Sequence, residues 1–349
     1  MPNKKSRKDI LRDKLRDPDA KADLDDRTSK VFERKGYLIT NILGAGSFVI
    51  KYQTINIRIF DSDSLRKVYN AIRKNNEICA VKVIDLVRCS NKYKKKFLPR
   101  ELAALMETRH ENIIRIYDIF RSNKKIFIFM EFASNGDLGK FMKKNGVLKE
   151  ERARIWFTQT TSAINYLHEE MFTAHRDVKI ENILLNRDWI VKITDFGFAI
   201  EAIDIDGQII FSGTFCGTIP YYCIQILQKK PYNPFKADTW ALGVVLYAMT
   251  HNRFPFHYKD TKLMIKEQSD QRFIEERIKG SHSNELKDLI MRLFDTDENS
   301  RFSTEQILEH AWIKRENLIQ LDENRTSRWN NQDFQTANDE QRAFQTYKE

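Results

Sequence analysis

Only four cysteines are scattered over the 349 residues, too few for a disulfide framework. Cys79, Cys89, Cys216 and Cys223 form no C-x-x-C pair, so no zinc site is implied and reduced thiols of an intracellular protein are expected. With 12 glycines and 7 prolines, a fibrous chain and one disordered throughout are excluded. Long apolar runs are lacking as well. The longest, Trp240 to Met249, is too short to cross a bilayer, and the opening MPNKKSRKDI has no apolar signal core. The expectation is a chain that is neither secreted nor membrane-spanning, cytoplasmic with nuclear access open.

What is present is a mixture that can fold. Hydrophobic residues make up 41% and charged ones 31%, enough of each for a packed core and a solvated surface, and the length allows two lobes. Lys and Arg number 59 against 49 Asp and Glu, a formal charge of +10 that suits anionic partners such as nucleotides, nucleic acid or acidic lipid. Residues 1–35 carry twelve Lys/Arg against eight Asp/Glu and few large apolar side chains, which predicts a solvated, flexible N-terminal extension.

From Tyr37 the texture changes to short β-rich runs: YLITNIL, ICAVKVID and, after Ser122-Asn123-Lys124, IFIFMEF. They predict an antiparallel sheet interrupted by one helix, Phe97 to Met106, whose Pro99 fits its first turn. After Asn135-Gly136 the period becomes helical. Ala153, Trp156, Phe157, Ile164 and Leu167 mark one helix, and Leu286, Leu289, Ile290, Leu293 and Phe294 another. Asp238 to Met249 is apolar nearly all round, as in a helix at the centre of a helical lobe. Beyond Trp312, residues 313–349 form a polar tail. Residues 54–77 read as an enlarged insertion, a solvated loop in which Leu65, Val68 and Ile72 at helical spacing after Asp63-Ser64 suggest a short helix, with Arg66, Lys67, Arg73 and Lys74 as a docking face.

Three clusters carry chemistry. Leu43-Gly44-Ala45-Gly46-Ser47-Phe48 lies between strand-like runs, and its glycines let backbone N–H groups approach phosphate oxygens; the same pair also suits a plain hairpin turn. Lys82 sits in a strand otherwise built for burial, where a lone charge is costly, and Glu101 on the expected helix is a candidate partner. A snorkelling lysine and a surface glutamate would look the same in sequence. The third cluster is His175-Arg176-Asp177-Val178-Lys179-Ile180-Glu181-Asn182, followed by Asp195-Phe196-Gly197 after a short strand. Two carboxylates, an amide and a lysine supply a base, metal ligands and a phosphate contact.

In order and spacing these clusters resemble the protein kinase family from about Tyr37 to Trp312. The resemblance implies an α+β, bilobal protein-kinase-like fold at 36–312, with a β-rich N-lobe at about 36–132 and a helical C-lobe at about 133–312. It further implies a serine/threonine kinase that uses ATP and Mg²⁺. Leu43, Gly44, Ala45, Gly46, Ser47, Phe48, Val49 and Lys51 would then cover the nucleotide, Lys82 would contact its phosphates, and Glu101 would orient Lys82. Asp177 would accept the substrate hydroxyl proton, Lys179 would steady the transferred group, and Asn182 and Asp195 would hold the metal. Met130 matches the gatekeeper, Glu131 to Ala133 the adenine hinge and Asp137 the ribose contact. Lys179 with Thr218 looks like serine/threonine specificity, Glu181 matches the position that holds an arginine upstream of the phosphosite, and Arg176 goes with switching by phosphorylation, by an upstream kinase or in autophosphorylation, at Thr214. Phe97-Leu98-Pro99-Arg100-Glu101, Gly136-Asp137-Leu138, Thr214-Phe215-Cys216-Gly217 and Leu242 to Tyr247 are most similar to the testis-specific serine kinase branch of the calmodulin-dependent-kinase-like group.

The pattern is broken in three places. Val49 stands at the third glycine. Lys51 stands where a valine roofs the adenine, unless the register is different. Cys223-Ile224-Gln225 replaces Ala-Pro-Glu, so the carboxylate that pairs with the arginine matched by Arg301 is an amide. The change at Val49 is tolerable, whereas Gln225 and Lys51 keep a second reading open, a scaffold of the same fold with impaired catalysis. No aromatic platform or recognition-helix pattern supports a nucleic-acid-binding module.

Overall fold

The computed structural model describes residues 30, 32, 34–42, 66–73, 77–87, 89, 98, 108–122, 124–278 and 282–314. The chain divides into two compact units, one comprising residues 1–99 and 114–136, the other residues 100–113 and 137–349.

The first unit is a five-stranded sheet in the order β1-β2-β3-β5-β4, with β1 Tyr37–Ile42, β2 Arg66–Arg73, β3 Ile78–Asp85, β4 Ile116–Ser122 and β5 Lys125–Glu131. All four pairings are antiparallel. The runs expected as strands before and after the interruption are β1, β3 and β5. β2 corrects the helix expected around Val68 and Ile72: these residues run as a strand, Val68 opposite Lys82 and Ala71 opposite Cys79. The spacing of four between Val68 and Ile72 satisfies either period, and here pairing with β3 decides. Leu65 lies outside the described residues.

Because successive strand residues point to opposite faces, β3 and β5 divide their side chains between two surfaces. Tyr37, Ala71, Cys79, Val81, Phe127 and Phe129 form one apolar cluster, and Phe32 packs into it at 2% exposure. The Phe32 ring lies 4.8 Å from Phe127, 5.2 Å from Phe129 and 5.8 Å from Phe120. The stretch read as a solvated extension therefore contributes at least this one side chain to the core. Ala80 and Lys82 belong to the opposite face, across from Met130 and Ile128. Of the helix expected over 97–106, only Leu98 is described; it is helical and buried.

The second unit is helical: α1 Leu138–Asn145, α2 Glu150–Glu169, α3 Ile224–Leu227, α4 Pro234–His251, α5 Thr261–Gln268, α6 Gln271–Arg277, α7 Asn284–Leu293, α8 Thr304–Glu309 and α9 Ala311–Lys314. Two small antiparallel pairs accompany them, β6 Thr173–Ala174 with β9 Ile200–Glu201, and β7 Ile183–Leu185 with β8 Val191–Ile193. Helix α4 begins where Asn233 caps the N–H groups of Phe235 and Lys236 and Pro234 fits the first turn, and it ends at Asn252 in the left-handed region (φ 50°). Nearly every side chain between is buried, Trp240, Leu242, Val244, Val245 and Leu246 completely. Gly243 lets α7 approach: a Cβ there would lie 2.9 Å from Leu293 Cβ and from the Phe294 ring. Among the described residues no helix is long and apolar enough to cross a membrane.

Candidate active site

The helical unit gathers its polar residues around the loop that joins β6 to the 3-10 turn Ile180–Asn182. Arg176 there has a φ of 62°, costly for a side-chain-bearing residue and maintained only where the surroundings over-determine it. Asp238, 1% exposed, does so from the first turns of α4. Its carboxylate accepts from the backbone N–H of His175 and of Arg176, each at 2.7 Å, and pairs with His168 Nε2 at 3.0 Å. Gly217 packs so closely on this loop that a Cβ would stand 2.6 Å from the Arg176 carbonyl oxygen.

The loop presents Asp177, 5% exposed. Its Oδ2 lies 2.6 Å from Lys179 Nζ and accepts from Asn182 Nδ2 at 3.1 Å. Its Oδ1 accepts from Thr218 Oγ1 at 2.7 Å, and that hydroxyl in turn accepts from Lys179 Nζ at 2.8 Å. Asn182 Nδ2 also donates to the Asp177 carbonyl at 2.9 Å. Burial pushes the Asp177 carboxyl up, Lys179 and Thr218 pull it back, and the negative charge of Asp195 raises it further. Asp195, at a φ of 64°, follows β8, whose end is held by Ile193 N donating to Asn112 O at 2.7 Å and Thr194 N donating to Asn182 O at 3.0 Å. Asp177, Lys179, Asn182 and Thr218 are thus one hydrogen-bonded group, with Asp195 electrostatically coupled to it.

Such a group can do two things. An ionised Asp177 oxygen, oriented by three donors, is placed to accept a proton from a hydroxyl. Asn182 spends its amide nitrogen on Asp177, which leaves its side-chain oxygen for another partner. With the Asp195 carboxylate it makes a pair of hard oxygen donors of the kind a magnesium ion prefers. Among the described residues no group of three or more His, Cys, Asp or Glu side chains could hold a metal.

Other expected residues fall as follows. Asp137 is buried and caps α1, accepting from Lys140 N at 2.8 Å, with Lys140 Nζ 2.8 Å from its other oxygen. Glu181 is pushed up by burial, and its Oε2 has no hydrogen-bond partner among the described residues. Arg176 donates from Nε to Phe198 O at 2.7 Å and from Nη1 to Ser212 Oγ at 3.2 Å, and that hydroxyl accepts from Thr214 N at 3.2 Å. In the β-rich unit, Lys82 is buried at 5% exposure, Met130 is opposite Ala80, and Glu131 N donates to Arg115 O at 2.8 Å. Ala133 is buried, its carbonyl accepting from Gly136 N at 3.3 Å. Leu43, Gly44, Ala45, Gly46, Ser47, Phe48, Val49, Lys51 and Glu101 lie outside the described residues.

Arg301, 0% exposed, meets no carboxylate at the position of Gln225. Its Nε donates to Asp295 O and its Nη1 to Lys236 O, both at 2.7 Å, while Nη2 reaches Gln225 Oε1 only at 3.5 Å. Gln225 Nε2 donates to Thr296 O at 2.7 Å. Burial accordingly lowers the affinity of Arg301 for its proton.

Two buried positions stand out in the structure more than in the sequence. Asp238 left a signal, a lone carboxylate opening an apolar helix, which must be satisfied if buried. Val68, 5% exposed and directly opposite Lys82, was hidden by the misassigned strand.

Comparison with known proteins completes the description. A family profile described as the protein kinase domain matches residues 64–313. Testis-specific serine/threonine-protein kinase 2 of Mus musculus is 37% identical over 286 residues, 81% of this chain and 75% of that protein. Testis-specific serine/threonine-protein kinase 4 of Homo sapiens is 33% identical over 265 residues, 72% of this chain and 79% of that protein. CBL-interacting serine/threonine-protein kinase 12 of Arabidopsis thaliana is 32% identical over 279 residues, 80% of this chain but 53% of that protein.

Proposed function

This chain belongs to the protein kinase family, and we propose that it is a catalytically competent serine/threonine kinase that moves the ATP γ-phosphoryl group to a protein hydroxyl. The observation that carries competence is the Asp177 network, in which both carboxylate oxygens are already hydrogen-bonded to the lysine, amide and hydroxyl that orient them. In this reading Asp177 takes the hydroxyl proton, Lys179 balances charge on the transferred group, and Asn182 and Asp195 hold Mg²⁺, which when bound neutralises the phosphates. Lys82 contacts the phosphates, with Glu101 as its partner. Glu131 and Ala133 serve the adenine and Asp137 the ribose.

Val68 supplies the apolar contact to the base that Lys51 lacks. It lies directly opposite Lys82 in the β2–β3 pairing, two residues along the strand from the pair Asn70 and Ala80. The departure at Lys51 then reflects where the second strand resumes rather than a lost contact. The buried Glu181 carboxylate favours substrates with a basic residue upstream of the phosphosite. Thr214 is the phosphoacceptor that switches the enzyme, since Arg176 already reaches Ser212, to which Thr214 is bonded. By likeness to its testis-specific relatives, the chain is assigned to germ-cell signalling.

The test is transfer of labelled phosphate from Mg·ATP to a basic serine peptide or to the chain itself. Asp177→Asn is expected to lower the rate by about 10³-fold while keeping the thermal shift given by Mg·ATP. Wild-type protein that binds Mg·ATP yet never transfers phosphate, even when phosphorylated at Thr214, would establish the scaffold instead.

A further inference from the structure

The segment from Ile193 to Gln228 contains Asp195, Glu201, Asp204 and Asp206 and not one Lys, Arg or His, in a chain whose net charge is +10; the exposed Lys229 and Lys230 follow it, beyond the hairpin itself. Within it a hairpin projects outward. Ile203 and Ile209 form an antiparallel bridge. Asp204 closes the turn, its Oδ1 accepting from Asp206 N at 3.0 Å and Gln208 N at 2.8 Å, and Gly207 supplies the positive φ of 77°. The base is tied into the unit: Ile210 N donates to Ala202 O and Ala202 N to Phe172 O, both at 2.9 Å, and Ser212 bridges Tyr232.

This well-bonded backbone holds large apolar side chains in water. Ile205 is 99% exposed, Phe211 57%, Phe172 50%, Ile210 44% and Ile209 42%. Backbone bonds through Ala202 tie Phe172 to Ile210, and Ile205, Ile209 and Phe211 lie on the same hairpin. Scattered exposed apolar residues need no explanation, but five on one hydrogen-bonded hairpin and the residue that anchors it do. Around it Glu169, Glu170, Glu201, Asp204 and Asp206 are exposed carboxylates.

We propose that this hairpin face docks a basic, apolar-containing extended segment of the protein substrate, outside the residue that is phosphorylated. The proposal rests on the kinase reading above and extends it to a second contact with the substrate. Charge complementarity selects the occupant. The carboxylates repel nucleic acid and anionic lipid, and a two-fold contact between copies of this chain would oppose two acidic faces. A basic segment gains from the rim while its apolar residues cover the centre. The hairpin also runs without a break into Ser212, bonded to Arg176, and Thr218, bonded to Asp177, so a docked segment lies along the chain that leads to the reacting hydroxyl.

The experiment uses the full chain and one serine acceptor peptide made in three forms: bare, with an Arg-Leu-Arg-Leu-Arg-Leu extension on a Gly-Ser linker, and with an Asp-Leu-Asp-Leu-Asp-Leu extension. The Arg-Leu form is expected to show a KM about tenfold lower than the bare peptide at unchanged kcat, and the Asp-Leu form no gain. Ile205→Ser/Phe211→Ser and Glu201→Lys/Asp206→Lys should each abolish the gain and leave the bare peptide's kinetics intact. Equal KM values for all three peptides, or a gain that survives both variants, would overturn the proposal. So would a concentration-dependent dimer in sedimentation that Ile205→Ser/Phe211→Ser dissociates, because the occupant would then be a second copy. If no peptide is phosphorylated, the kinase reading fails by itself, and fluorescence anisotropy of the labelled Arg-Leu peptide on wild type and variants still decides the docking.

Discussion

Restoring a carboxylate opposite Arg301 is the perturbation whose outcome the structure specifies most closely. Arg301 is fully buried, its guanidinium satisfied by two carbonyl oxygens and, at 3.5 Å, by the Gln225 amide oxygen. Replacing that amide by a carboxylate, Gln225→Glu, adds a Coulomb attraction of about 5 kcal/mol at this distance with an effective dielectric of about 20. Against it stand partial desolvation of the new charge, about 2 kcal/mol at this half-buried position, and about 1 kcal/mol for the donation to Thr296 O that is lost. The net expectation is about 2 kcal/mol of added stability at pH 7, a rise in Tm of about 4 to 8 °C for a unit of this size. The sign of the pH dependence follows. Arg301 holds the new carboxyl below its unfolded value of about 4.3, so the gain is complete above that pH and fades as the pH falls through the folded value. Thermal and urea unfolding of wild type, Gln225→Glu, Arg301→Met and the double variant form a cycle that isolates the pair. A Gln225→Glu protein no more stable than wild type at pH 7, or a cycle with zero coupling, would refute the idea that this arginine is under-compensated.

Three further expectations are independent of it. Gly243→Ala should destabilise by about 1 to 2 kcal/mol in urea unfolding, because overpacking against Leu293 and Phe294 exceeds the gain in helix propensity of about 1 kcal/mol; a stabilised variant would contradict the close approach of α4 and α7. His251, stacked on Tyr247 at 4.0 Å with His282 at 4.7 Å, has its pKa pushed down to about 4, first by burial and then by His282. Its contribution is present above pH 6.5 and lost as the pH falls toward 4, about 1 to 2 kcal/mol after allowance for solvent, so His251→Phe should flatten the acid side of a pH series of melts, and parallel curves would exclude this source. Val68→Lys should raise the KM for ATP on the order of tenfold while Lys51→Val leaves it unchanged, and the reverse pattern would return the base contact to Lys51.

Sequence made the site more legible than its supports. Asp177, Lys179 and Asn182 are near neighbours in the chain, so their proximity needed no fold to be foreseen, and the strands β1, β3 and β5 announce themselves by β-branched and aromatic runs. Strand β2 reads as a helix because Val68 and Ile72, four apart, fit both periods, and β4 is faint because Asp118 and Arg121 interrupt the apolar residues of Ile116–Ser122. Phe32 is an isolated aromatic among charges, and nothing local says that three phenylalanines of β4 and β5 surround it. The bond from Thr218 to Asp177 spans 41 positions and those from Asp238 to His175 and Arg176 span 63 and 62. Such long-range ties exist only once the unit has folded.

Asp238 gives those ties a wider meaning. Because it stands on the most deeply buried helix, the two amides it holds can exchange with solvent only when the centre of the unit opens, and they belong among the slowest-exchanging in the molecule. The left-handed turn at Arg176 therefore has no private melting event. The loop that presents Asp177 and the interior of the unit are lost in one step, so the exchange of these two amides gauges the packing of that helix.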